Sequence, residues 1–393
     1  MNDASRRRDA GNASPAHRPV PGSARPAHGP TANGTAHAAT EGAARGVADG
    51  AVSGTPDGPA PGAGASAPGP AANGSAPEPP ANGGAPEVFA GVDIGGTTTQ
   101  VVLCTADLTV VRGTEVPTPA AEGGSAMVGA ALDALNGLLE GPGYRLAGVG
   151  VGAAGVVDAR EGRVLVASDS FHAWAGFPVT ETVRSALGVP AFLDNDVNAF
   201  LRGEATKGAV AGESHVLGMT LGTGVGGALW VDGALLDGPH GAAGEIGHIP
   251  GFGDLPCTCG GRGHLETLAS GRSISARYAE RTGRHHTAGE IANAAAQADP
   301  DAIAVFEAAG AAIARALLIT AGLVDITTAV IGGGVSRAWP ILAPVIEAAL
   351  DAEPPVSGNP VHVVRAALGS RAVAVGAASR VRRELGSGAV RGM

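Results

Sequence analysis

The 393-residue sequence predicts an α/β protein of two similar lobes with a cleft between them, preceded by a disordered N-terminal tail. Three observations carry that prediction. From residue 87 onward, strand-like apolar runs alternate with helical periodicities; the same plan recurs in the second half of that region; and each of three glycine clusters follows a strand-like run. Upstream of Pro86 the texture is different: Met1, Val20, Val47 and Val52 are the only large apolar side chains, and 58 of 86 positions are Gly, Ala, Pro or Ser. Such a segment buries too little to offset an ordering entropy of roughly 1–2 kcal/mol per residue, so a tail is expected over 1–86.

The elements follow in order. VFAGVDI, TQVVLCT and LTVVRGTEV read as three strands opening a sheet as a meander, and SAMVGAALDALNGLLE places Val128, Leu132, Leu135 and Leu139 at helical spacing before the stop at 141–143. Strand LAGVGVG, an irregular loop through Trp174, helix TETVRSALG and strand AFLD complete the first half. In the second, HVLGMTL and GALWVDGALL read as strands, 303–323 as a long buried helix, and TTAVIGGG as a strand entering a turn.

Composition narrows the function. Six Arg and six Asp plus Glu cancel within the tail, so the formal charge of −10 falls on the remainder, which argues against a nucleic-acid surface. No apolar run follows Arg6–Arg8, against a secretory signal, and no run of about 18 apolar residues suggests a membrane span. Cys104 lies in the apolar run VVLC as a core residue; the expected compartment is the reducing cytoplasm.

The glycine clusters are GVDIGGTTT (91–99), LGTGVGGAL (221–229) and IGGGVS (331–336). Glycine lets backbone N–H groups approach phosphate oxygens without obstruction, although any one cluster alone can be a tight turn. Residues 222–227 spell G-x-G-x-x-G, but a strand follows where a dinucleotide fold needs a helix. A P-loop is excluded because the only lysine, Lys207, lacks the flanking residues. What remains is a nucleotide held by two β-hairpin phosphate loops and a third glycine turn. Asp93 at the end of the first strand would hold Mg²⁺ through water, or else cap a turn.

Two polar groups can line the cleft. LDNDVNAF sets Asp194, Asn195, Asp196 and Asn198 after a strand, where such residues also serve as loop caps. GEIGH sets Glu245 and His248 three apart. From His248 the chain runs through Cys257, Cys259 and His264 at intervals that suit a tetrahedral Zn²⁺ site; a reactive thiol pair and plain buried cysteines are the alternatives. With four protein ligands the metal would be structural, and the clip would fix the loop that carries Glu245, His248 and Glu266. On this reading metal loss should disturb a bound ligand more than a nucleotide, whose loops lie elsewhere in the sequence.

Taken together, GVDIGGTTT, LDNDVNAF, LGTGVGGAL, GAAGEIGHIP, CTCGGRGHLE, VIGGGVS and AALGSRAVAVGAA resemble the ROK family of sugar kinases and repressors over residues 88–380. The resemblance implies the actin-like ATPase fold, with two RNase H-like lobes at 87–197 and 198–393 and the last helix packing back on the first lobe. It implies that Asp93, Gly95, Gly96 and Thr97 form the first phosphate loop, that Gly222, Thr223 and Gly224 form the second, and that Gly332, Gly333 and Gly334 adjoin the adenosine. Asn195, Asp196, Glu245, His248 and Glu266 would bind sugar hydroxyls opposite Gly155, with Asp196 as general base. Two positions depart from the family pattern: His264 stands where the zinc motif C-x-C-G-x-x-G-C-x-E has its last cysteine, and Ser170 aligns with an Asn of glucose-type members. Implied as well are ATP, Mg²⁺ and structural Zn²⁺ as cofactors, a small sugar as substrate, and a homodimer or homotetramer. The expected function is ATP-dependent phosphorylation of a hexose, with an N-acetylhexosamine, an allose-like epimer or a cyclitol as alternative acceptors. A sugar-responsive repressor is disfavoured, since residues 1–86 lack the apolar periodicity of a winged helix-turn-helix.

Overall fold

The computed structural model describes residues 85–141, 143–167 and 171–391. The expected tail up to Gly84, and Ser170, lie outside the described residues. Strands β1 (Glu87–Ile94), β2 (Thr98–Cys104) and β3 (Val110–Pro117) form an antiparallel meander followed by α1 (Gly124–Leu139). Next, β4 (Arg145–Ala153) pairs parallel with β1. The hairpin of β5 (Val156–Asp158) and β6 (Arg163–Val166), then α2 (Val179–Leu187), lead to β7 (Ala191–Asn195), parallel to β4. Helix α3 (Asp196–Lys207) crosses to a second sheet that opens with the meander β8 (Val216–Leu221), β9 (Val225–Val231) and β10 (Ala234–Leu235). Helices α4 (Glu266–Ala269), α5 (Gly271–Thr282), α6 (Ala288–Ala296) and α7 (Pro300–Val324) precede β11 (Thr328–Gly332); α8 (Trp339–Ala352), β12 (His362–Arg365) and α9 (Ala372–Arg391) complete the chain.

The strand orders are β3-β2-β1-β4-β7 and β10-β9-β8-β11-β12, with the same polarity at each step. Each lobe is thus a meander whose first strand pairs in parallel with a later strand, which pairs in parallel in turn with a further one, the duplicated arrangement of the actin-like ATPase fold. Central strands read as continuous apolar runs because both faces are covered. In β1, Val88, Ala90, Val92 and Ile94 pack with Met127, Val128 and Leu135 of α1, while Phe89 faces Ala374, Val375 and Ala378 of α9. Cys104 belongs to this second layer, where burial pushes its thiol up to about 12.

Helices α3 and α9 approach at backbone distance. A Cβ on Gly376 would stand 1.7 Å from the Ala199 carbonyl oxygen, one on Gly91 1.8 Å from that of Ala374, and one on Gly150 2.0 Å from that of Ala377. The same α3 packs Phe200, Leu201 and Ala205 with Val216, Ala228 and Trp230 of the second sheet. The irregular loop expected around Trp174 contains the β5–β6 hairpin, whose strands are too short to show a period. Helix α7 is long and apolar enough to cross a membrane, yet Val305, Phe306, Ala309, Ile313 and Leu317 are core, and Glu307 and Arg315 are exposed.

Candidate active site

Strand β7 passes without a loop into α3, so residues 194–198 fan out from one joint. Asn195 is the N-cap: its Oδ1 accepts from the amides of Val197 (2.8 Å) and Asn198 (3.2 Å), and its Nδ2 donates to the Gly155 carbonyl at 2.9 Å. Gly155 is held in turn at φ +104°, where a Cβ would meet the Val166 carbonyl oxygen at 2.3 Å. Asp194 turns the other way, into a buried ion cluster with Arg202 (3.3 Å) of α3 and Arg380 of α9. Asn195 therefore both caps α3 and lines the cleft, while Asp194 is drawn into the ion cluster.

Asp196 is half-buried and accepts from its neighbour Val197 N at 2.9 Å. The protein mass around its carboxyl raises its pKa to about 6, and the charge of Glu245 adds to the rise. Asp93, at the end of β1, is pushed to about 8 by burial first, then by Asp196 and Glu115. Two carboxyls far apart in sequence are thus electrostatic neighbours, a hard-oxygen pair of the kind that suits Mg²⁺.

A cavity of about 370 Å³ opens beside this joint, within the size range of small-molecule sites. Asn195, Asn198, Gly227 and Glu245 line it, together with Asp158, Arg160 and His240. Sequence reasoning missed these last three. Asp158 ends β5 and Arg160 sits in the β5–β6 turn, hidden in the supposed irregular stretch; the polar loop just before GEIGH was the available signal for His240.

The glycine clusters behave as close-contact turns. Gly95 N donates to Thr98 O at 3.2 Å, and Gly96 is exposed, with Phe171 3.3 Å from its Cβ position. Thr97 O accepts from Thr118 N at 2.9 Å. Between β8 and β9, Gly222 O accepts from Gly271 N at the start of α5 at 2.8 Å, and Thr223 is exposed. Gly333 (φ +84°) lies so near Leu221 that a Cβ would be 2.5 Å from its carbonyl oxygen, and Gly332 is packed on Phe200. The second loop, the turn at 332–334 and the start of α5 therefore converge, with exposed Gly333 and Gly334 beside the loop.

The ligating atoms of His248, Cys257, Cys259 and His264 all lie within 4.8 Å of one another. Cys257 Sγ is 3.7 Å from His248 Nδ1 and Cys259 Sγ 3.2 Å from His264 Nδ1. Bonds of about 2.0–2.3 Å to a tetrahedral Zn²⁺ require such spacings, so His264 fits as the fourth ligand. Backbone pairing of Pro250 with His264 and of Pro256 with Arg262 frames the loop, and Arg315 of α7 lies over the Phe252 ring at its base.

Of the three polar residues expected around one ligand, His248 and Glu266 lie against the same Cys257 sulfur, at 3.7 and 3.9 Å. Glu245 is exposed on the cavity wall. The Nδ1 of His248 faces the thiols. Glu266 is 8% exposed, with Oε1 accepting from Thr258 Oγ1 (2.7 Å) and Oε2 from Val225 N (3.0 Å). Its position as the first residue of α4, tucked beneath the second glycine loop, draws it inward.

Comparison with known proteins agrees with this fold. A family model described as the ROK family matches residues 89–384. The glucokinase of Halalkalibacterium halodurans is 34% identical over 273 residues, 64% of this chain and 81% of that one. The glucokinase of Thermotoga maritima is 32% identical over 312 residues, 75% of this chain and 98% of that one. A crystal structure of a ROK family glucokinase from Streptomyces griseus in complex with glucose and AMPPNP superposes with a TM-score of 0.66 at 31% identity, over 75% of this chain and 99% of the other. With the matched region spanning both lobes from β1 into α9, the chain belongs to the ROK family.

Proposed function

We propose that the protein is an ATP-dependent sugar kinase that phosphorylates a hydroxyl of a hexose or hexose-like sugar, with Asp196 as general base. The observation that carries this reading is Asp196 itself, a carboxyl raised to about 6, next to Asp93 and beside the 370 Å³ cavity. A base with a pKa just below neutrality is ionised at pH 7 yet still takes a proton readily.

In this reading the acceptor hydroxyl donates its proton to Asp196 as its oxygen bonds to the γ-phosphorus of ATP, the bond from that phosphorus to the β–γ bridging oxygen breaks, and ADP leaves. Asn195 orients the sugar with the amide hydrogen left over from its bond to Gly155, and Glu245 binds a hydroxyl from the opposite wall. His248 and Glu266 act from behind it. Backbone amides of 95–97 and 222–224 face the phosphates, and the turn at 332–334 adjoins the adenosine. Asp93 would hold Mg²⁺ through water, and the ion would supply charge neutralisation for the phosphoryl group. His248, Cys257, Cys259 and His264 would hold Zn²⁺, which would supply rigidity to the loop.

Asp196→Asn tests the central role. Sugar affinity should stay near the wild-type value while kcat falls at least about 100-fold, the lower range for loss of a general base. Turnover near the wild-type rate would reduce Asp196 to a binding contact.

A further inference from the structure

The Cys257-Thr258-Cys259 segment contains a side chain that the metal cluster does not use. Thr258 Oγ1 donates to Glu266 Oε1 at 2.7 Å. The other oxygen of that buried carboxyl accepts from Val225 N at 3.0 Å, and Val225 directly follows Gly222-Thr223-Gly224. Gly224 makes the approach possible, because a Cβ there would stand 2.5 Å from Glu266 Oε2. One carboxylate is therefore gripped from one side by the thiol segment and from the other by the second glycine loop. Among the described residues, Oε1 has one other neighbour of this kind, the Cys257 sulfur at 3.9 Å, too long for a strong bond.

We infer that Thr258 is a positioning residue: by holding Glu266 against Val225 N it braces the second glycine loop and couples the metal-bound segment to nucleotide binding. The coupling to nucleotide rests on the kinase reading above; the bridge itself rests on the hydrogen bonds. Without the threonine hydroxyl the carboxylate is free to rotate about its last torsion, and the amide of Val225 loses a fixed acceptor. Separation in sequence, which would leave the nucleotide loops indifferent to the cysteines, is cancelled by this one side chain.

The test compares wild type, Thr258→Val and Thr258→Ser in the full-length, metal-replete protein. Hydrogen exchange at the Val225 amide should accelerate about tenfold in Thr258→Val, the scale of one hydrogen bond to a charged acceptor. The Kd for AMPPNP with Mg²⁺ should rise by a similar factor, zinc content should match wild type, and Thr258→Ser should restore both readouts to within about twofold. Unchanged exchange at Val225, a serine variant as impaired as the valine, or loss of metal from Thr258→Val would each overturn the inference. A wild type with a protected Val225 amide that binds no AMPPNP would sink the kinase reading and the nucleotide coupling, while leaving the bridge to be judged by exchange alone.

Discussion

Asp196 and Asp93 have the same chemistry and opposite consequences for activity and stability. On the proposed mechanism ionised Asp196 is the base, so kcat/KM should climb as pH rises through about 6 and level off above it. Both folded-state values, about 6 and about 8, lie above the ordinary carboxylate range, so the folded protein holds protons that the unfolded chain has released. Their contribution to stability is therefore full below about pH 4 and is lost as pH rises towards 8. A pH series of kcat/KM in the absence of product checks the first sign, and melting temperature in metal-free buffer checks the second; activity that falls between pH 5 and 7 would remove Asp196 as the base. The polar cluster itself was legible as residue types after a strand. Direction was not: Asp194, Asn195 and Asp196 are consecutive, yet the first enters an arginine pair, the second caps a helix and lines the cavity, and the third is the electrostatic neighbour of Asp93 and Glu245, because a strand-to-helix joint turns each side chain differently.

The α3–α9 crossing shows what decides packing at the scale of elements. Gly376 faces the Ala199 carbonyl at 1.7 Å from its Cβ position, whereas Gly386 in the same helix has nothing within 4 Å. Gly376→Ala should destabilise by about 1–3 kcal/mol, the usual range for overpacking, while Gly386→Ala should stabilise by about 0.5–1 kcal/mol through helix propensity. Chemical denaturation of the two variants checks the difference in sign. Long periodic elements such as α1 and α7 were readable from spacing alone. The β5–β6 hairpin and β12 were not, since three or four residues show no period, and the glycines at 91, 150 and 376 could not be told from the others in a chain that has 64.

At the scale of the whole molecule, the repeated strand order was visible in sequence only as a recurrence of strands, helix and glycine turn; the pairing that makes the two lobes equivalent is a long-range property. The same holds for the site, where β1, β7, the GEIGH turn and the thiol loop meet although they span residues 93–266. Those elements make sense together if ATP and a sugar share the cleft. The direct measurement is to incubate purified protein with ATP, Mg²⁺ and a panel of hexoses, N-acetylhexosamines and cyclitols, and to follow ADP release with mass spectrometry of the acceptor. Expected is stoichiometric ADP and a singly phosphorylated product from at least one acceptor, with Asp196→Asn at least about 100-fold slower on that acceptor. ATP hydrolysis with no phosphorylated acceptor, or no ADP across the panel, would contradict it.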